Sequence, residues 1–207
     1  MLFKTRPSGY HPGSGRAPLV DDEGRQIVIL EGPTAGGGTG GAVIGAIANP
    51  SANFSVPNSA ATYAIGDLIA NSATAGSVTP MSFANVARVA AGAASVIKAR
   101  LSKTGTGIVG ASFLLHLYGT SPTVTNGDDG VWLSTQAATY LGAFEFNVAN
   151  AKVFSDGVSI NGITQTGYPV TADLASGTTI YGLLEARGAY VRTAAETFTI
   201  TLEVEQE

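Results

Sequence analysis

The chain has no cysteine, so disulfides, thiolate zinc sites and cysteine nucleophiles are excluded. Charge is scarce too. Charged residues make up 13% of the sequence, about half the usual share. The net charge of −4 does not suit a polyphosphate partner, so nucleic-acid binding is not expected. Two histidines, His11 and His116, are too few for a typical histidine-rich metal site. No run of 18 or more apolar residues marks a membrane span. Residues 1–20 lack the apolar stretch of a signal peptide. These absences lead us to expect a soluble chain made in a cytoplasm, with no membrane partner.

What is present is glycine and short apolar runs. Gly occurs 27 times in 207 residues, roughly twice its usual share. The 44% apolar content is ample for a core, but much of it is alanine. Small residues at that level point to close backbone approach rather than bulky core blocks. The length fits one ordinary domain with an appendage.

Residues 1–58 read as the appendage. Pro7, Pro12 and Pro18 forbid regular helix in the opening stretch. A short apolar strand at 27–30 follows the turn-like Asp21, Asp22, Glu23 and Gly24. Residues 32–45 are low in complexity and rich in glycine, and Asn49-Pro50 and Val56-Pro57 continue the irregular run. The expectation is an extended N-terminal arm that orders against a partner. Its partner-binding side chains would be Phe3, Arg6, Tyr10, Arg16, Ile27 and Ile29.

From Ser59 to residue 207 the pattern changes to period-two alternation with turn signals between runs. Met81, Phe83, Ala87 and Val89 suggest one strand, broken at Ala91-Gly92. Ile97, Ala99 and Leu101 alternate with Lys98 and Arg100. Val109, Ala111, Phe113, Leu115 and Leu117 share one face of the next strand, with His116 on the more polar side. A loop over 121–130 precedes residues 131–138, which suit a short helix or an irregular crossing. Tyr140, Phe144, Phe146 and Val148 resume alternation. Asp156-Gly157 and Asn161-Gly162 look like hairpin turns. The last strand, 196–205, is the clearest: Phe198, Ile200, Leu202 and Val204 oppose a threonine- and glutamate-rich face. Six or more such strands predict an all-β fold, an antiparallel, jelly-roll-like β-sandwich.

Candidate chemistry is thin. Residues 36–41 satisfy G-x-G-x-x-G, but the apolar run after them ends at Asn49-Pro50 and no carboxylate stands about twenty positions on. The linker reading is preferred. Ser95 and Lys98 satisfy S-x-x-K, yet in a strand residues three apart point to opposite faces. His116 reads as a surface or interface residue. Asp128 and Asp129 could offer oxygens to calcium, but an EF-hand spacing is absent and Asx turn chemistry explains them without a metal, so the turn reading is preferred. Trp132, Tyr140 and Tyr118 could form a platform for sugar, or fill the core of an alanine-rich chain. The second reading is preferred. No catalytic, cofactor-binding or metal-ligating residue set emerges, and the chain is not expected to be an enzyme.

Three stretches carry a resemblance: residues 62–83, residues 140–146, and residues 181–190 with 196–203. Together they resemble a group of tailed-bacteriophage virion proteins, across most of residues 60–207 and hardly at all in the arm. The resemblance implies a structural role in the virion. Joined to the arm-plus-sandwich organisation, it points to a head decoration (cement) protein on the capsid surface. The implied partner is the major capsid protein, and a homo-oligomer such as a trimer fits. The alternative is a tail, collar or fibre component that connects virion parts or binds host surface glycan.

Overall fold

The computed structural model describes residues 46–133, 139–163 and 169–207, together with two short strands nearer the N-terminus. The chain divides into two units, Met1–Ala42 and Val43–Glu207. In the first, β1 (Leu19–Val20) pairs antiparallel with β2 (Gln26–Ile27), setting Leu19 opposite Ile27. Of the proposed arm contacts, Ile27 therefore lies in a strand. Phe3, Arg6, Tyr10, Arg16 and Ile29 fall outside the described residues.

The second unit is nearly all strand, and every pairing in it is antiparallel among the described residues. In chain order come β3 (Ala46–Ala48), β4 (Ser51–Ser55), β5 (Thr62–Tyr63), β6 (Leu68–Ile69) and β7 (Met81–Phe83). The long strands follow: β8 (Ala93–Thr104), β9 (Ser112–Tyr118), β10 (Tyr140–Phe154) and β11 (Gly157–Ile163). Then come β12 (Val170–Asp173), β13 (Ile180–Ala186), β14 (Tyr190–Val191) and β15 (Thr197–Gln206). One ladder runs β3, β15, β8, β11, β10, β9, β13, β6, with β4 also on β15, β12 on β8 and β7 on β13. β5 and β14 form a separate pair.

The ladder folds over so that its two halves face each other as a sandwich. Phe113 of β9 meets Phe198 of β15 edge-on at 5.6 Å, and Phe54 of β4 stacks on Phe198 at 5.5 Å. Leu101, Leu115, Phe144, Phe146, Ile200 and Leu202 are fully buried around them. Burying each such side chain contributes about 1.5–3 kcal/mol, so this cluster dominates the driving force.

Several expectations are met and others are corrected. β15 alternates as expected, with Phe198, Ile200, Leu202 and Val204 all buried. Residues 46–55, assigned to the arm, belong instead to the sheet: β4 pairs with β15, placing Phe54 opposite Phe198. Their apolar alternates Ala52, Phe54 and Val56 face inward, a signal that the flanking prolines disguise. The strand expected through Val89 ends at Phe83, and Asn85 adopts φ of 58°, which breaks extension. Val86 and Ala87 are still buried, while Val89 is exposed.

β8 changes phase along its length. Ala94 and Val96 point inward, then Ala99, Leu101 and Lys103, while Ile97 is exposed. The cause is a bulge: Glu203 pairs with Lys98, but Val204 pairs with Val96, leaving Ile97 unmatched. One extra residue flips every side chain beyond it. The bulge sits where the neighbour of β8 changes from β12, opposite residues 93–96, to β11, opposite residues 100–104.

The hairpin turn near Asp156-Gly157 is real, with Phe154 opposite Gly157. Asn161-Gly162 is not a turn, because Gly162 pairs with Phe146 inside β11. Val131 makes an isolated bridge to Asp67, and residues 134–138 lie outside the described residues. Glycine does permit close backbone approach at one crossing: a Cβ on Gly188 would run into the Gly110 carbonyl, and one on Gly110 into that of Ala189.

Candidate functional site

Three polar constellations stand out in the second unit. The first fastens residues 121–133 onto the sheet. Asp128 is buried, and its carboxylate accepts from Tyr63 Oη at 2.7 Å, from Ala70 N at 2.8 Å, and from Arg192 Nη1. Arg192 also donates to the Tyr63 hydroxyl at 2.5 Å and to Ser59. Backbone bonds continue the fastening, with Leu68 N donating to Gly130 O and Trp132 N to Gly66 O. Burial pushes the Tyr63 hydroxyl far up, and its bond to Asp128 adds to the rise. Desolvation would lower Arg192, but hydrogen bonds and charge interactions with Asp128 and Tyr63 together outweigh that and raise it.

Asp128 is thus an internal anchor with a partner 64 residues away, which neither the calcium nor the turn reading anticipated. Asp129, by contrast, is exposed and sits at φ of 66°. Partial burial pushes its carboxyl up, and neighbouring Asp67 pushes it further.

The second constellation lies between the sheets. Lys103 Nζ and Glu196 Oε2 are 2.8 Å apart with both side chains fully buried. Glu196 Oε1 accepts from Tyr190 Oη at 3.0 Å, and Lys103 donates to the Gly105 carbonyl at 3.2 Å. The shifted phase of β8 beyond its bulge turns Lys103 inward. Tyr190 stacks on Tyr63 at 5.3 Å, so the two constellations are in contact.

The third surrounds His116. Expected at a surface or an interface, it is 5% exposed and covered from within the chain. Trp132 stacks on its ring at 4.3 Å and 11°, and Tyr140 lies at 5.7 Å. Its Nε2 is 2.7 Å from Glu185 Oε2, and Arg187 donates to Glu185 Oε1 at 3.1 Å. Burial alone would push the Glu185 carboxyl up, but bonds from His116 and Arg187 hold it below the usual carboxylate range. Burial raises the Tyr118 hydroxyl, and the Trp132 indole lies close enough to oppose that rise without reaching hydrogen-bond geometry.

The side of β9 carrying His116 is covered because residues 121–133 lie over it. Leu68, Ala70, Tyr118 and Leu183 form a second small core there with Val78, Val124, Trp132 and Tyr181. The structure therefore brings Tyr118, Trp132 and Tyr140 together around His116. Tyr118 is fully buried and Trp132 partly so, which leaves only Tyr140, 42% exposed, able to face a ligand. The core-filling reading holds for the first two. Ser95 and Lys98 form no serine–lysine pair; Ser95 bonds Glu207 and Lys98 pairs with Glu203. No helix among the described residues is long and apolar enough to cross a membrane.

Sequence reasoning missed Lys103, Arg192, Glu185 and Glu196. Lys103 continues the inward row of Ala99 and Leu101, but its ion-pair partner is distant in sequence, and Arg192 and Glu196 flank a turn whose long-range partners leave no local signal. Comparison with protein-family models and with curated proteins finds no match for this chain.

Proposed function

We propose that this chain is a structural protein of a tailed-bacteriophage virion. In this reading it is a capsid decoration protein on the outer shell. Its N-terminal arm binds neighbouring subunits of the major capsid protein and stabilises the head.

The observation that carries this reading is how the chain enters the sandwich. Immediately after the first unit ends at Ala42, β3 and β4 are laid along β15 through registered pairs from Ala46↔Gln206 to Ser55↔Thr197. Tension applied to the arm along the strand axis would shear that ladder rather than peel it pair by pair. Behind it, the buried Lys103–Glu196 pair and the Arg192–Asp128 anchor hold the turns of the body. Such a body suits a part that must transmit force. An arm that orders on binding can cover a large surface, and repetition over a symmetric shell multiplies modest contacts. Assembly as a homo-oligomer such as a trimer fits the same reading.

Deleting residues 1–42 tests it. The truncated chain should keep the melting temperature of its sandwich and lose at least tenfold in binding to purified shells that lack it. Unchanged shell binding would overturn the arm mechanism. Labelling that places the chain at the tail, collar or fibre would favour the alternative station.

A further inference from the structure

A groove of about 270 Å³ crosses the outer face of the sandwich beside the β10–β11 hairpin. Register explains how it forms. Phe154 lies opposite Gly157, Gly157 opposite Thr104, and Ser102 opposite Thr199, so these residues form adjoining rows on one face of four strands. Gly157 contributes no side chain, leaving a trough between the Phe154 ring on one side and hydroxyl groups on the other. A Cβ there would meet the Lys103 carbonyl at 2.7 Å, so the trough is a fixed feature of the packing.

Phe154 is 56% exposed, an uncovered phenyl ring on an otherwise polar face. Asp156, in the hairpin turn, also lines the groove. Thr104 Oγ1 accepts from Thr197 N, and Thr197 Oγ1 bonds Ser55. The hydroxyls of Ser102 and Thr199 have no hydrogen-bond partner among the described residues.

The lining selects a class of ligand. The backbone groups of β8, β11 and β15 along the trough floor are already committed to one ladder, so an extended peptide cannot add to these three as a strand. The one exposed charge in the lining is the carboxylate of Asp156, which repels phosphate and other anions. The apolar part of the lining, the Phe154 ring and the threonine methyls, is shallow and interrupted by hydroxyls, which suits a ligand that is itself amphipathic better than a continuous alkyl chain. What remains is a small neutral molecule with one apolar face and a rim of hydroxyls.

We propose that this groove binds one neutral sugar ring. Its C–H face would lie on Phe154, whose negative ring face attracts polarised C–H groups. Its hydroxyls would exchange hydrogen bonds with Ser102, Thr104, Thr199 and the Asp156 carboxylate. The volume, just below the ~300 Å³ at which small-molecule sites begin, admits a single ring. This inference goes beyond the virion reading and does not depend on where the chain is mounted.

The test is a titration of the full-length, ¹⁵N-labelled protein with neutral hexoses and their methyl glycosides up to about 50 mM, well above a Kd of order 1 mM. At least one sugar should shift the amides of Ser102, Thr104, Gly157 and Thr199 and saturate. Phe154→Ala should weaken that sugar at least tenfold and Asp156→Asn several-fold. Both variants should melt as the parent does, because both side chains are exposed. The proposal is overturned if no sugar moves those amides, if the shifts centre on Tyr140 instead, or if Phe154→Ala binds as tightly as the parent. None of these outcomes bears on the arm-deletion experiment.

Discussion

The two outer faces of the sandwich are treated in opposite ways. Over β6, β13 and β9, residues 121–133 form a roof that buries Leu68, Tyr118 and Leu183. Over β8 and β15 the outer face carries Ser102, Thr104, Thr197, Thr199 and Arg100, and no element covers it among the described residues. The strands record the difference. β9 and β13 are buried on both faces through most of their length, whereas β15 is buried at every second residue. A roofed strand tolerates nearly continuous apolar sequence, and a bare one requires alternation.

The contrast can be broken most forcefully by removing what fastens the roof. Arg192→Ala leaves the Asp128 carboxylate buried without its cation, which should destabilise the protein by about 3–5 kcal/mol. In a chain of this size that lowers Tm by roughly 6–20 °C. Trp132 is the chain's single tryptophan, so its fluorescence reports on the roof. In Arg192→Ala its emission should shift toward that of solvated indole at temperatures where the β-sheet circular dichroism is still intact. A roof that stays closed until global unfolding would show that other contacts hold it.

Trp132→Ala comes next, at about 2–3 kcal/mol by chemical denaturation. That is less than a fully buried tryptophan would cost, because the ring is only partly covered. Glu185→Gln should follow at about 1–2 kcal/mol near neutral pH, since it removes charge-assisted bonds to His116 and Arg187. The Glu185 carboxyl is held below its unfolded value. Its contribution is therefore complete above the ordinary carboxylate pKa and lost as pH falls through the lower folded value. Parent and variant should converge in acid, and a gap that persists there would contradict the assignment.

The contrast between faces also explains what could be read in the sequence. Alternation in β15 and the apolar set of β9 gave the fold class and part of the core, because each face repeats every second residue, but Val109, expected on the same face, precedes β9 and is exposed. His116 was misplaced because the same rule assigns its side of β9 to solvent. The roof that covers it comes from a loop with no periodicity. In β8 the bulge hid Ile97, which was expected inward with Ala99 and Leu101 and is exposed; Lys103 continues their inward row, and only its distant partner Glu196 had no local signal. Ala52, Phe54 and Val56 alternate faintly, and the prolines at 50 and 57 hid a strand that the edge of a sheet accommodates. Leu202 N reaches the Pro50 carbonyl, using the one backbone group proline still offers.

A smaller effect of opposite sign comes from Asp129, also in the roof. Its carboxyl is raised by burial and by Asp67, so the folded state binds its proton more tightly than the unfolded chain does. Stability is consequently lost as pH rises from the ordinary carboxylate value through the raised one. Asp129→Asn removes the repelling charge and suits the positive φ, because asparagine tolerates the left-handed region well. The variant should be more stable than the parent by a few tenths of a kcal/mol at neutral pH, a gain kept small by solvent screening. The two should be equal at a pH below both carboxylate values. A gain that persists unchanged into acid would mean that conformation, not charge, is responsible.

The smallest expected effect is the sharpest test of the bare face. Thr199 sits in the middle of β15, its side chain on the outer surface, opposite Asn53 on one side and Ser102 on the other. Thr199→Val keeps a β-branched side chain of the same shape, which a pleated surface accepts equally well. It removes a hydroxyl that has no hydrogen-bond partner among the described residues, so no buried group is left unsatisfied. The expected change is within about 0.5 kcal/mol, the range of surface substitutions away from special features. The same exchange at a covered polar position would leave a hole in a hydrogen-bond network and cost more. A loss above about 1 kcal/mol would therefore mean that this face is covered in the folded protein by some other part of the chain or by a second copy. Concentration dependence of the loss distinguishes the two, since only contact with a second copy weakens on dilution.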